Sequence, residues 1–306
     1  APMLRWKISD KTTSTFKLEY SDIKTNADNL LSLNADGTQQ GFKTRKQNLN
    51  DPWAFTENEY VMFSMNTDHQ FNDNWKLRHR FNASFGSETS RNITASGSVA
   101  ANGDVGRFFF EQNADGKDYY NNYYNSVELT GKFDTGVVKH TMLLGGDYLR
   151  TDARATMGPV FGLGGTNIYN PFHYAQVPSI PSFNTFRYEQ PWFGVYAQDQ
   201  VELPHHVHLL GGLRFDNAET GGDSEYKVFG GSKTDNPKVT DDRVSPPGGI
   251  LWQPMPELSL YGSYTENFGA SNGVNAQGNR LAPQTAQQWE TGIKTELFDG
   301  RFTGSL

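Results

Sequence analysis

No cysteine occurs in the 306 residues, which removes disulfides, thiolate metal centres and a cysteine nucleophile from consideration. No apolar run approaches the roughly 18 residues that a membrane-crossing helix needs, so a helical membrane protein is excluded. Hydrophobic residues make up only 36%, fewer than a soluble sandwich of this size needs for its core. Basic residues are outnumbered, 27 against 34 acidic, giving a net charge of −7. The densest basic stretch, "KTRK" at 43–46, is too short to hold a nucleic acid, so none is expected as a partner. The opening "APMLRWKIS" lacks the charged-then-apolar layout of a secretory leader. There is no Gly-x-Ser-x-Gly elbow, and Ser, His and Asp are scattered without motif spacing, so no enzyme class is indicated.

What the chain does have is aromatic residues, at 13%, and a persistent period of two. In "VYAQDQVELPHHVHLLGGLRFD", Val195, Ala197, Val201 and Leu203 share one face while Tyr196, Gln198, Gln200 and Glu202 share the other. After the Pro-His-His corner, Val207, Leu209, Leu213 and Phe215 continue the apolar face, and His208, Arg214 and Asp216 the polar one. Side chains alternate along a strand, so this is a hairpin with one oily and one wet side. The same pattern places Phe16, Leu18 and Tyr20 together, and sets Val61, Phe63, Met65 and Phe71 with Trp75, Leu77, Phe81 and Phe85 around an Asn72-Asp73-Asn74 turn. If Phe71 faces Trp75, Asp68 falls opposite Arg78 and Met65 opposite Phe81, both favourable cross-strand pairs. A one-residue slip would pair wet with oily throughout.

Further turns fall at Asp134-Thr135-Gly136, at "PMPE" (254–257) and at "FDG" (298–300), so about twelve strands form six hairpins with no helix-period segment between them. The connections are lopsided: one rim has turns of two to four residues, the other long segments at about 23–57, 89–119, 153–186, 220–242 and 269–285. Loops that long are uncommon in compact soluble domains. Short turns on one rim and long loops on the other characterise outer-membrane barrels, whose turns are periplasmic and whose loops are extracellular. The fold class expected is therefore all-β: an antiparallel transmembrane β-barrel with its oily face to lipid. By parity Asp199 and Glu266 also fall on the oily face, as do His69, His79 and His140. The first residues already alternate and "GRFTGSL" stops in mid-strand, so residues 1–306 are expected to be a partial barrel domain.

The stretch "YTENFGASNGVNAQGNRLAPQTAQQWETGIKTELFDGRF", beginning at Tyr264, resembles the TonB-dependent siderophore receptors of Gram-negative outer membranes. The resemblance is carried by Leu281 and Pro283, by Trp289, Glu290, Gly292 and Lys294, and by the Phe298-Asp299-Gly300 turn. "GVYAQDQVEL…LLGGLRFD", "TNIYNPFHY" (166–174), "NDPWAF" and "HQFNDNWKLRHRF" also look like that family, so the likeness runs over nearly the whole chain. It implies a bacterial outer-membrane receptor that imports ferric siderophores as its transported ligand, with no resident cofactor. The family carries an N-terminal plug with a TonB-contact segment inside a barrel of about 22 strands. Neither plug nor closing strands are recognisable here, so contact with the TonB complex is expected through a plug outside this chain.

Under that resemblance the 161–183 segment offers Tyr169, Phe172, His173 and Tyr174 as part of an aromatic mouth for the ferric siderophore. Aromatic rings supply large, rigid contact area with a polar edge. The plainer alternative is a loop that packs on its neighbours. Tyr196, Arg214 and Tyr261 on the wet face are the next candidates, as a binding wall in the lumen. Lys76, Arg78 and Arg80 form a basic row better read as a ladder neutralised by Asp68 and other acidic neighbours than as an anion site. His205, His206 and His208 lack a nearby carboxylate or thiol and are read as a solvated turn rather than a metal site. Three further readings compete: a passive outer-membrane porin, a secreted propeller or sandwich binding carbohydrate, and an outer-membrane hydrolase, which has no motif in its favour. Spacings of about 44 to 70 residues between short turns are too irregular for propeller blades.

Overall fold

The computed structural model describes residues 1–27, 36–38, 50–180, 182–228, 230–270 and 281–306, with 161–163 and 235–237 described as backbone. In chain order the strands are β1 (Met3–Lys7), β2 (Thr12–Asn26), β3 (Phe55–Gln70), β4 (Trp75–Ser96), β5 (Asp104–Gln112), β6 (Tyr119–Thr135) and β7 (Val138–Asn167). β8 (Asn184–Leu203), β9 (Val207–Tyr226), β10 (Ser232–Ser245), β11 (Gly248–Met255), β12 (Leu258–Gly269), β13 (Gln284–Leu297) and β14 (Phe302–Ser305) follow. Every pairing is antiparallel, and the 14 strands make one sheet. Among the described residues there is no α-helix, only a 3-10 turn at Pro204–His206, where His205 and His206 take φ of 64° and 57°.

The expected register holds: Met65 stands opposite Phe81 and Asp68 opposite Arg78. The strand count also holds once two interruptions are recognised. The upper part of β4 pairs with β5 and its lower part with β6, and both pair again with β7. β5 and β6 are thus one descending strand with a looped-out insertion. Its residues are tied down: Asp118 accepts from the Thr156 amide at 2.7 Å, while Arg154 reaches Asp115 at 2.8 Å and Asp118 at 3.0 Å. The Arg154 guanidinium holds the Asp115 carboxyl below its ordinary range. β10 and β11 form a second descending strand, both paired with β9 in one continuous register across Pro246 and Pro247. The 14 stretches therefore make twelve runs.

Three of the segments expected as long loops, near 89–119, 153–186 and 220–242, are more than half strand. β4 runs on to Ser96, β7 to Asn167 and β9 to Tyr226, while β8 begins at Asn184 and β10 at Ser232. The 30 residues of β7 span about 100 Å at roughly 3.3 Å per residue, far more than the 9 to 11 residues or so that cross the hydrocarbon. The physical reason is plain in "RNITASGSVA": beyond the band expected to face lipid neither face must be apolar, so alternation fades while the hydrogen-bond ladder continues. Of the segments near 23–57 and 269–285, residues 28–35, 39–49 and 271–280 lie outside the described residues.

Apolar residues collect on one face as expected. Val61 faces Phe85, Tyr148 faces Phe193, Val195 faces Phe215, and Leu209 faces Ile250. Apart from half-buried Phe215 these side chains stay exposed, Val195 at 42%, as does Leu213 at 59%, so among the described residues no protein layer covers this face. Parity also sends Asp199 there, where it accepts from His140 Nδ1 at 2.7 Å; the ring stacks on Phe133 at 4.7 Å. His69 is similarly engaged, bonded to Thr12 at 2.8 Å. Glu266 does not behave as parity requires. Arg243, which stands opposite Asp216 on the polar face, donates to Glu266 at 2.8 Å, and Phe268 packs on Trp192 at 5.4 Å. The prolines at 246 and 247 have no N–H to donate, so the ladder between β11 and β12 stops at Tyr264; beyond it β12 is paired with β13 alone, and the side chains of Glu266 and Phe268 reach the polar face.

Three glycines are overlain by the ring of the aromatic residue directly opposite: Gly131 by Trp75, Gly145 by Tyr196 and Gly292 by Tyr261. A Cβ on Gly131 would lie 2.5 Å from the Trp75 ring, and one on Gly145 would fall among the ring atoms of Tyr196. The rings lie flat across the neighbouring strand, and only glycine leaves room. Gly145→Ala is therefore expected to cost about 1–3 kcal/mol through overpacking, whereas Gly211→Ala, with open space around it, is expected to be near neutral. Denaturant unfolding of the full-length protein in detergent checks this; equal midpoints would refute the close packing.

Candidate functional site

The polar face carries one continuous row. Asp68, Arg78, Glu128, Gly145, Tyr196, Arg214 and Ser245 stand opposite one another in turn on β3, β4, β6, β7, β8, β9 and β10. Asp68 accepts from Arg78 at 3.1 Å and from Lys76 at 3.0 Å. Glu128 lies 3.9 Å from Arg78 and 3.7 Å from Arg80, and accepts from the Tyr196 hydroxyl at 3.0 Å. The expected basic row is thus a neutralised ladder.

Arg214 lies over the Tyr196 ring at 5.2 Å and grips Asp147 with both terminal nitrogens, at 2.8 and 2.9 Å. Its Nε donates to Asp216, which also accepts from the Trp192 indole at 2.9 Å. Two carboxylates occupy this guanidinium, so it has no free fork for a ligand. Tyr196 and Arg214, both candidates from the sequence, are brought together. Tyr261 is not: it lies on β12, donating to Glu290 at 2.8 Å with Lys294 above its ring at 4.9 Å.

The other candidates sit in the connection after β7. Tyr169 and Phe172 are exposed, at 41% and 58%. Tyr169 lies against Gly103, and Phe172 packs edge-on to Tyr174 at 5.2 Å. His173 Nδ1 and the Tyr174 amide both meet Asp51, at 3.2 and 2.9 Å. Trp53 donates to the Tyr174 carbonyl at 2.9 Å, and Arg107 to the Phe172 carbonyl at 3.0 Å. Beneath is a small core of Ile93, Val99, Val105, Phe109 and Ile168, with Trp53, Ala95, Val160 and Ile180 against it. The segment is fastened through His173 and Tyr174 and presents Tyr169 and Phe172.

Sequence reasoning did not single out Asp51, Trp53 and Arg107, or Glu128, Asp147 and Trp192, as parts of these arrangements. Alternation does mark Glu128 and Asp147 as polar-face residues once their strands are registered. Nothing local marks Asp51 or Arg107, whose partners lie more than 50 residues away in each case.

A single antiparallel sheet with one exposed apolar face and one charge-paired polar face defines the wall of an outer-membrane β-barrel. Residues 5–306 match the family described as "TonB dependent receptor-like, beta-barrel", and the chain belongs to that family of bacterial outer-membrane proteins. It is 29% identical to the ferrichrome outer membrane transporter/phage receptor of Escherichia coli (strain K12), over 96% of this chain and 42% of that protein. It is 24% identical to the ferrioxamine B receptor of Salmonella typhimurium (strain LT2), over 96% of this chain and 41% of that protein. Its fold matches the ferripyoverdine receptor of the outer membrane of Pseudomonas aeruginosa with a TM-score of 0.82 at 17% identity, covering 99% of this chain and 40% of that one. The ferric-catecholate import receptor Fiu of E. coli K12 gives 0.81 at 18% identity, covering 99% and 49%. The chain thus spans less than half the length of these relatives.

Removing Arg214 leaves Asp147 and Asp216 facing one another. Arg214→Met is expected to destabilise the barrel by about 1–3 kcal/mol, and adding Asp147→Asn to recover part of that loss. A double-mutant cycle on denaturant midpoints measures it; strict additivity would show that the pair is not coupled.

Proposed function

We propose that residues 1–306 are a partial barrel domain of a receptor that binds ferric siderophores outside the cell and imports them with TonB-coupled energy. The remaining strands and a plug that meets the TonB complex would be supplied by the rest of the full-length protein. Family membership carries this reading, supported by relatives named for ferrichrome and ferrioxamine B. It also sets the passive porin aside, since that class shares the alternation but not the family. The ferric complex is cargo, not a resident cofactor.

Recognition is assigned to the segment after β7. Tyr169 and Phe172 offer exposed rings on a backbone already fastened by its neighbours, so little entropy is lost when a ligand docks. His173 and Tyr174 line the same place while holding the segment down. Tyr196 and Tyr261 remain available deeper along the polar face, whereas Arg214 contributes there by holding the wall together. The apolar face meets outer-membrane lipid in this reading.

Two outcomes are expected of the full-length protein on whole cells at matched surface expression. Tyr169→Ala with Phe172→Ala should weaken binding of radio-iron ferrichrome or ferrioxamine B at least tenfold, about 1.4 kcal/mol. Unchanged affinity for every ferric siderophore that the native protein binds would move the site to the polar face. Phe81→Arg, on the apolar face, should cost about 2–4 kcal/mol in bilayers if it lies near the midplane, while Gln198→Ala should be near neutral. Reconstitution into vesicles followed by denaturant titration separates the two, and equal costs would refute the lipid assignment.

A further inference from the structure

Three separate parts of the chain converge on one buried ion pair above the barrel wall. Asp51 precedes β3, Arg107 lies on β5, and the 168–174 segment follows β7. The Asp51 and Arg107 side chains are both fully inaccessible, 3.8 Å apart. Arg107 Nη1 donates to the Phe172 carbonyl at 3.0 Å, and its guanidinium lies 5.1 Å from the Tyr174 ring. Asp51 Oδ1 accepts from the Tyr174 amide at 2.9 Å and faces His173 Nδ1 at 3.2 Å. Asn50 beside it accepts from the Ile93 amide at 3.0 Å, which ties the same stretch to β4.

A buried ion pair is a poor way to gain stability, because desolvation cancels most of the attraction and an apolar pair often does as well. Here the cost is heightened: Arg107 Nε and Nη2 and Asp51 Oδ2 have no hydrogen-bond partner among the described residues. What charges supply and methyl groups cannot is direction. The guanidinium holds the carbonyl on one side of His173, and the carboxylate holds the amide on the other. Between them they set the course of the backbone that carries Phe172 and, a turn earlier, Tyr169.

We infer that Asp51 and Arg107 are positioning residues for the aromatic platform, fixing Tyr169 and Phe172 in a binding-ready orientation without touching the ligand. This rests on the assignment of recognition to that segment. It makes the end of the β2–β3 connection and the β4–β5 hairpin part of the recognition apparatus. Substitutions there should alter affinity at a distance.

The test uses the full-length protein with spin labels on Tyr169→Cys or Phe172→Cys, measured without ligand, and radio-iron ferrichrome and ferrioxamine B binding measured on unlabelled cells. Arg107→Gln should mobilise both labels and weaken binding about tenfold, with Arg107→Lys intermediate, since an ammonium keeps the charge but not the fork. Because a single substitution also strands a buried charge, the deciding variant is Asp51→Leu with Arg107→Leu. It should keep protease resistance and surface expression yet still show mobile labels and weak binding. Rigid labels and native affinity in that double variant would overturn the inference, leaving the pair as packing alone. Rigid labels in Arg107→Gln would overturn it as well, whatever the binding result. Failure of the recognition assignment looks different: the labels are mobilised, but affinity is unchanged both here and when Tyr169 and Phe172 are replaced by Ala.

Discussion

Backbone hydrogen bonding between neighbouring strands is the constraint on which everything else in this protein depends. In hydrocarbon no water satisfies an unpaired N–H or C=O, so a wall that crosses it must pair each strand with the next. That requirement explains why the chain is one antiparallel sheet, and why its interruptions are so few. Where pairing fails, at Pro246 and Pro247, the consequence is immediate: β12 has no ladder with β10, and Glu266 and Phe268 instead meet side chains of the polar face. Where residues are inserted between β5 and β6, the extra turn is bound by Asp118 and Arg154 before the ladder resumes.

Once register is set, the two faces carry different burdens. Among the described residues the apolar face has nothing to pack against and stays exposed, so its sequence need only be oily. The polar face must hold charges that face one another across about 5 Å strand spacings. It does so by alternating sign along the row, with Asp68, Arg78 and Glu128 followed by Tyr196 and then Arg214 between Asp147 and Asp216. The same logic governs Asp199, a carboxylate that parity places on the apolar side, which His140 covers. Glycine enters where a ring must cross to the next strand. These arrangements bind strands together and leave few free charges on the wall.

Above the wall the strands continue and a second kind of structure begins. Ile93, Val99, Val105, Phe109 and Ile168 form a conventional buried core there, since this region has water around it and an inside to fill. The Asp51–Arg107 pair sits on that core and directs the segment that exposes Tyr169 and Phe172. Membrane wall and the cap above it thus answer to different solvents, although the same strands run through both.

The sequence by itself determined the parts that depend on neighbours in the chain. A period of two, short turns at Asn72-Asp73-Asn74 and Phe298-Asp299-Gly300, and the pairing of Met65 with Phe81 follow from local alternation, because a hairpin's register is set by its turn and its oily face. The strand extensions above the wall were not legible, because polar residues on both sides of a strand leave no alternation to read. The parity reading of Glu266 failed for a related reason, since parity assumes an unbroken ladder. Asp51 meeting Tyr174, Arg107 meeting Phe172 and Arg214 meeting Asp147 were decided only by the tertiary structure. Those contacts join residues that strand order brings together from distant parts of the chain, and no local pattern can encode which of several carboxylates a buried guanidinium will face.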